Sequence, residues 1–328
     1  MPTLNQMAEL YSNELRLLER AEDTIKLARL WPRYLTDYLI DQGRPTNIEA
    51  IDPKDAINFL DWLKNRVVKP RRGAKTIPTK RISPYTVNQA ARVLRAFGNW
   101  LSKSKWPNPF MDIHIPKTPE ANIEVLTKEE KERLIACINP STHNGARNYA
   151  MILLMLGSGP RVGEVARLKV EDVDFIVQSM KVFGKGNKWR TISFGVNTAK
   201  ALLRYFHAYR PTPSNEEAKE YLFLSVDGYP MNRGGVQNIV KRLRKRSEIP
   251  RLHPHLLRHT FAVDYLLSGG DLASLQEILG HDSIETTRLY LHFTKEHLIT
   301  QHRKFDPVDK LMESRTRRFG VKKPAAEK

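Results

Sequence analysis

Four short stretches in the second half of the chain hold residues able to bind an oxyanion or move a proton. The first, GSGPRVGE, sets Arg161 where a glycine-rich break meets a new helix. A guanidinium there can grip a phosphate through two parallel hydrogen bonds, helped by the partial positive charge of the helix start. Glu164, one turn on, is placed to pair with Arg161 or another cation and fix its rotamer. The second is Lys185, in the turn GKGNK, where an ammonium can reach into a groove and donate a proton. The third, HLLRH, puts His255 and Arg258 three residues apart on one helix face. Imidazole beside guanidinium suits oxyanion binding and proton transfer. The fourth runs from LGH to Tyr290: Gly280 closes one helix, His281 follows at the junction, Ser283 caps the next helix, and Tyr290 lies on it.

Taken singly, each residue also has a plain structural reading. Arg161 can be an exposed arginine at a helix start, and Lys185 an ordinary turn lysine. His255 can cap its helix while Arg258 snorkels, and Tyr290 can simply pack in a core. Other chemistries find less support. His253, His255 and His259 cluster, but no carboxylate joins them and no HExxH occurs, so no metal is expected. Without a Walker A loop or a GxGxxG stretch, nothing points to ATP or a dinucleotide, and no cofactor is expected. The single cysteine, Cys137, excludes an intramolecular disulfide and a cysteine-based metal site.

The elements that must position these residues fall into two parts. Before residue 105 the chain reads as helical: one helix near Glu22–Ile40, one starting at Pro53, and one opened by Ser83-Pro84, with Val87, Ala91, Leu94, Phe97 and Leu101 at helical spacing. Residues 105–123 contain four prolines and no helical period, the composition of a linker. Beyond it, Thr127 and Glu130 form a capping box for a helix through Ile138, and an apolar helix spans Asn148–Leu156. Residues 180–194 read as a β-hairpin. Helices follow near Thr198–Tyr209, Arg233–Arg246, His255–Leu267, Leu272–Leu279 and Ser283–Phe293. The predicted fold is mostly α with a small antiparallel β-sheet (α+β) in the second part, plus an all-α bundle in the first.

Charge narrows the partner. Lys and Arg number 54 against 36 Asp and Glu, a net +18. Residues 1–118 carry 20 basic and 12 acidic residues, and 119–328 carry 34 and 24, so neither half owes its charge to a tail. Such a surface attracts nucleic acid through counterion release. The loop KPRRGAKTIPTKR at 69–81 holds six basic residues and no acidic ones. No apolar run approaches the roughly 20 residues of a membrane span, and the polar N-terminus has no secretory pattern. No membrane partner is expected, and a cytoplasmic, nucleoid-associated protein fits.

Together and in this order, Arg161, Lys185, His255-x-x-Arg258, His281 and Tyr290 resemble the catalytic set of the tyrosine recombinase (phage integrase) family, and of its Xer-like members. GSGPRVGEVARLKVEDVDF is similar to that family's first arginine box, VFGKGNKWRTI to its lysine hairpin, and HPHLLRHTFAVDYLLSGGDLASLQEILGHDSIETTRLYLHF to its second box. The resemblance covers about residues 125–295, and more weakly the first part, through SPYTVNQAARVLRAFGNWL. It departs at Pro160, just before the first arginine, and in the basic 69–81 loop. It implies a core-binding domain at 1–116, a linker at 117–124, a catalytic domain at 125–306 and a tail at 307–328. It further implies a site-specific recombinase with Tyr290 as nucleophile, Arg161, Lys185, His255, Arg258 and His281 catalytic, and Glu164 supporting. Double-stranded DNA would be held by a homotetramer or hetero-tetramer on two duplexes, the segment after Tyr290 docking on a neighbouring protomer. Candidate DNA contacts are Arg71, Arg72, Lys75, Lys80 and Arg81 in the basic loop, with Lys188 and Arg190 on the hairpin. A type IB topoisomerase-like relaxing enzyme and a catalytically silent DNA-binding regulator are the alternatives.

Overall fold

The computed structural model describes residues 1–66, 81–118, 123–184, 189–281 and 283–294, with positions 306, 308 and 312. Lys185, Lys188, the basic loop except Arg81, and almost all of the tail lie outside the described residues. The chain divides into two compact units, Met1–Ala121 and Asn122–Lys328.

Among the described residues four α-helices build the first unit: α1 (Leu4–Leu17), α2 (Glu22–Asp41), α3 (Pro53–Asn65) and α4 (Pro84–Lys103). Their starts are written in side chains. Thr3 accepts from the Gln6 amide while Gln6 accepts from the Thr3 amide, which opens α1, a helix beyond those expected from periodicity. Asp52 and Ser83 cap α3 and α4, each followed by a proline at the first helical position, where no N–H is needed. Apolar residues at helical spacing then meet in one core, with Trp31, Leu35 and Leu39 from α2, Phe59 and Leu63 from α3, and Leu94, Phe97 and Leu101 from α4.

Residues 105–116 belong to this unit, which corrects their reading as the start of a linker. Phe110 and Ile113 are buried in its core. Asn108 turns the chain there by accepting from the Phe110 amide at 2.9 Å. Prolines remove the helical period but leave Phe110, Ile113 and Trp106 free to dock.

The second unit contains α5 (Lys128–Ala136), α6 (His143–Ser158), α7 (Val162–Arg167), β1 (Val173–Asp174), β2 (Ser179–Phe183), β3 (Trp189–Ser193), α8 (Val196–Arg204), α9 (Glu216–Glu220), α10 (Arg233–Arg246), α11 (Pro254–Leu267), α12 (Leu272–Leu279) and α13 (Ile284–Arg288). A 3-10 turn, Leu289–Thr294, continues from α13 and carries Tyr290. The strands form one antiparallel sheet in the order β1-β2-β3, with Met180 opposite both Val173 and Ile192. β2 and β3 are the expected hairpin; β1 adds a short third strand. Met180, Val182 and Ile192 face the main core, where α6 supplies Ala150, Met151, Leu154 and Met155.

Helix α6 begins five residues before the expected Asn148, because Thr142 accepts from the Gly145 amide and starts it early. Tyr205–Tyr209 forms a π turn rather than a continuation of α8, with the Tyr205 hydroxyl accepting from the Leu224 amide at 3.1 Å. A smaller apolar cluster joins Phe261 and Leu266 of α11, Leu275 and Leu279 of α12, and Tyr290. Among the described residues no helix is long and apolar enough to cross a membrane. The fold is mostly helical with a small antiparallel sheet, preceded by an all-helical unit.

Candidate active site

The site forms where two helices end on left-handed glycines. Gly159 closes α6 at φ 64° and Gly280 closes α12 at φ 61°. A side chain at Gly159 would collide with Phe261, so both conformation and space require glycine there. Each helix end leaves backbone carbonyls without intrahelical partners. Two arginines fill that need. Arg258 donates from Nη1 to the Gly159 carbonyl at 2.7 Å and from Nη2 to the Leu279 carbonyl at 2.6 Å. Arg161 donates from Nη2 to the Gly280 carbonyl at 2.8 Å. The two guanidiniums are thereby drawn to the same helix terminus, which is the negative end of the α12 dipole.

Glu164 holds Arg161 in place. Its carboxylate accepts from the Arg161 amide at 2.7 Å and from Arg161 Nη1 at 3.2 Å. The same carboxylate accepts from Arg190 Nη1 at 2.7 Å and Nη2 at 2.9 Å. Burial alone would raise Glu164; the bonds and charge of Arg190, then the amide and charge of Arg161, outweigh it and hold the carboxyl below its ordinary value. Arg190 also donates from Nε to the Ile278 carbonyl at 2.8 Å, and its side chain is 13% exposed. Arg190, expected as a DNA contact, thus has its guanidinium engaged within the protein. A guanidinium spent on a buried carboxylate and a helix carbonyl is a strut for the site.

His281 and Tyr290 complete the cluster. Arg258 Nη2 lies 3.1 Å from His281 Nε2, and His281 Nδ1 lies 2.9 Å from Thr287 Oγ1. Arginine only donates, so Nε2 accepts, and Nδ1 carries the proton and donates to Thr287. Burial, then Arg258 and Arg161, push His281 down to about 4, so the ring is neutral at neutral pH. Arg258 is itself lowered to about 9 by burial and then by Arg161, and it remains charged. Tyr290 is 2% exposed. Burial raises its phenol, while Arg258 and Arg161 pull it partly back.

The sequence reading missed His259. Its Nδ1 lies 2.8 Å from the Tyr290 hydroxyl. The signal available was its i, i+4 spacing from His255, which puts the two rings on one helix face; their centroids are 6.4 Å apart. His255 is exposed, and it does not cap α11. The cap is His253, whose Nδ1 accepts from the Leu256 amide at 2.9 Å. Arg81 is exposed on the first unit. Among the described residues no group of His, Cys, Asp and Glu is placed to hold a metal ion.

The structure thus brings Arg161, Glu164, Arg258, His281 and Tyr290 together from segments far apart in sequence. Residues 124–297 match the model of the phage integrase family. Tyrosine recombinase XerC of Oceanobacillus iheyensis is 32% identical over 290 residues, covering 87% of this chain and 90% of that protein. Tyrosine recombinase XerD of Staphylococcus epidermidis is 34% identical over 308 residues, covering 93% and 99%. Among solved structures, the Tn1549 transposon integrase in complex with transposon right-end DNA shares the fold, with a TM-score of 0.66 at 22% identity over 95% of this chain and 99% of that one. The chain belongs to the phage integrase family, the tyrosine recombinases.

Proposed function

We propose that this recombinase cuts duplex DNA at a specific site by attack of the Tyr290 hydroxyl on a backbone phosphate. A 3′-phosphotyrosine forms and a 5′-hydroxyl leaves. Attack by a 5′-hydroxyl from a second duplex reverses the step and exchanges strands. The covalent link conserves the phosphodiester bond energy, so the cycle needs no ATP, and the arginines supply the charge a metal would otherwise bring. The observation that carries this reading is the tyrosine hydroxyl held within electrostatic reach of two arginines that share one helix end.

Arg161 and Arg258 stabilise the pentavalent transition state, whose non-bridging oxygens carry more charge than the ground state. Both guanidiniums now bond to carbonyls, so an entering phosphate exchanges with those bonds. Once Arg258 turns to the phosphate, neutral His281 donates to it from Nε2, the ring proton having moved there while Nδ1 accepts from the Thr287 hydroxyl. Lys185 gives the leaving 5′-oxygen its proton, and His255 assists proton transfer or orients the phosphate. Glu164 keeps Arg161 in its rotamer. The site residues act on DNA as a tetramer on two duplexes, in the cytoplasm at the nucleoid. The Tn1549 integrase, solved in complex with transposon DNA, supports DNA as the partner.

A duplex nicked beside the site traps the covalent adduct, because the freed fragment diffuses away. Tyr290→Phe is expected to abolish the adduct and leave DNA binding intact. An adduct that survives the substitution overturns the assignment. Relaxation of any supercoiled plasmid, without joining of two sites, would favour a topoisomerase-like enzyme.

A further inference from the structure

We propose that His259 is the base that takes the Tyr290 phenolic proton as the tyrosine attacks. The proposal rests on Tyr290 being the nucleophile. A phenol titrates near 10, so at neutral pH roughly one in a thousand is ionised. Burial raises Tyr290 further. Attack therefore requires a proton acceptor within hydrogen-bond reach of the hydroxyl. His259 Nδ1, at 2.8 Å, stands there.

The direction of that bond follows from satisfaction. The Tyr290 hydroxyl is buried and must place its proton, and buried donors are rarely left unmade. With Nδ1 accepting, the His259 proton sits on Nε2. The ring is neutral and ready to accept: burial, then His255, His253 and Arg258, push it down to about 4. These same groups face the ring and oppose its protonation in free protein. An entering phosphate brings negative charge against Arg258 and offsets that opposition. The balance is then complete. The proton moves from Tyr290 Oη to His259 Nδ1, the Oη–P bond forms, the P–O5′ bond breaks, and the 5′-oxygen takes its proton from Lys185. On rejoining, the imidazolium returns its proton to the leaving phenolate.

His255, one turn earlier, is exposed, and its ring centre is 6.4 Å from that of His259. Of these two histidines on one face, His259 is the one bonded to the tyrosine hydroxyl.

The test is single-turnover adduct formation on the nicked duplex with His259→Asn and His259→Ala. Asparagine can place an oxygen where Nδ1 was and accept the same hydrogen bond, but it cannot hold the proton. Both variants are expected to slow the adduct about 10²- to 10⁴-fold. Their rates are then expected to climb about tenfold per pH unit between roughly pH 7 and 9, as hydroxide replaces the base. A wild-type rate for His259→Asn, or a deficit that stays constant with pH, overturns the proposal. If Tyr290→Phe still forms adduct, the nucleophile is wrong; if only His259→Asn keeps full rate, the base alone is wrong. Should the variants fail to fold, nitrogen NMR on the intact protein decides. Nδ1 of His259 is expected to be unprotonated at neutral pH and to shift in Tyr290→Phe, and a protonated Nδ1 overturns the proposal.

Discussion

The first unit and the Arg161–Tyr290 centre solve opposite problems. The first unit is held by apolar packing, and among its described residues the buried polar side chains are Ser12, Thr36 and Asp55. The centre buries Glu164 and Arg258 outright, with neutral histidines beside them. Burying charge is costly unless every partner is present. Arg147, buried in the same unit as the centre and bonded to the Leu224 carbonyl at 2.9 Å, shows that a lone structural guanidinium can also be tolerated. What sets the centre apart is the gathering of three guanidiniums around one carboxylate and one helix end. Packing needs no such arrangement. The phosphate of the proposed reaction would, because it would find the positive charge already oriented.

The largest expected effect breaks that arrangement at its hub. Glu164→Gln leaves Arg161 and Arg190 facing a neutral amide, whose NH2 group adds a third donor where an acceptor is needed. Removing one partner of a buried pair costs about 3–5 kcal/mol. Urea unfolding is expected to show that loss, and adduct formation is expected to slow as Arg161 loosens. A change below about 1 kcal/mol, the range of exposed pairs, would place the hub among surface ion pairs.

How much of this was legible beforehand depended on the range of the interactions. The limits of α10 and α12, Arg233–Arg246 and Leu272–Leu279, coincide with their apolar periods because caps and spacing are local. The hairpin was equally local, while α6 runs to Ser158, two residues past the expected Leu156, before Gly159 closes it. The residues of the centre were legible as types in order. Their bonds were not. Arg190 pairs with Glu164 across 26 positions and His259 meets Tyr290 across 31, and neither contact has a periodic signature. Residues 105–116 misled for a different reason. Composition announced a linker, while burial was decided by a few apolar side chains, Phe110 and Ile113 foremost, with Trp106 packed beside them.

A smaller effect sharpens the comparison through pH. In the folded state His259 and His281 lie at about 4, below the ordinary histidine value near 6.5. The unfolded chain thus takes up protons that the folded chain refuses as pH falls from about 6.5 to 4, so stability falls with pH through that window. The loss is on the order of 2–3 kcal/mol for each ring. Glu164, held low, adds its own loss only further down, as pH falls from its unfolded value through its folded one. Hydrogen exchange read separately on α11 and α4 is expected to show α11 weakening through the histidine window, and α11 in His259→Asn weakening less. Equal weakening of α4 would erase the contrast between the regions.

The smallest effect belongs to the first unit. Ser83 caps α4 by accepting from the Thr86 amide at 3.4 Å, a long bond, and Pro84 already presets the first turn. Losing a serine cap costs typically about 1 kcal/mol, and this geometry places Ser83→Ala at or below that. Faster exchange is expected in the first turn of α4, with α11 unchanged and adduct formation retained. The small size is itself the point. Val87, Leu94 and Phe97 hold α4 through many weak contacts, so no one polar bond governs it. A loss from Ser83→Ala as large as that from Glu164→Gln would mean that the first unit, too, hangs on a single hydrogen-bonded side chain.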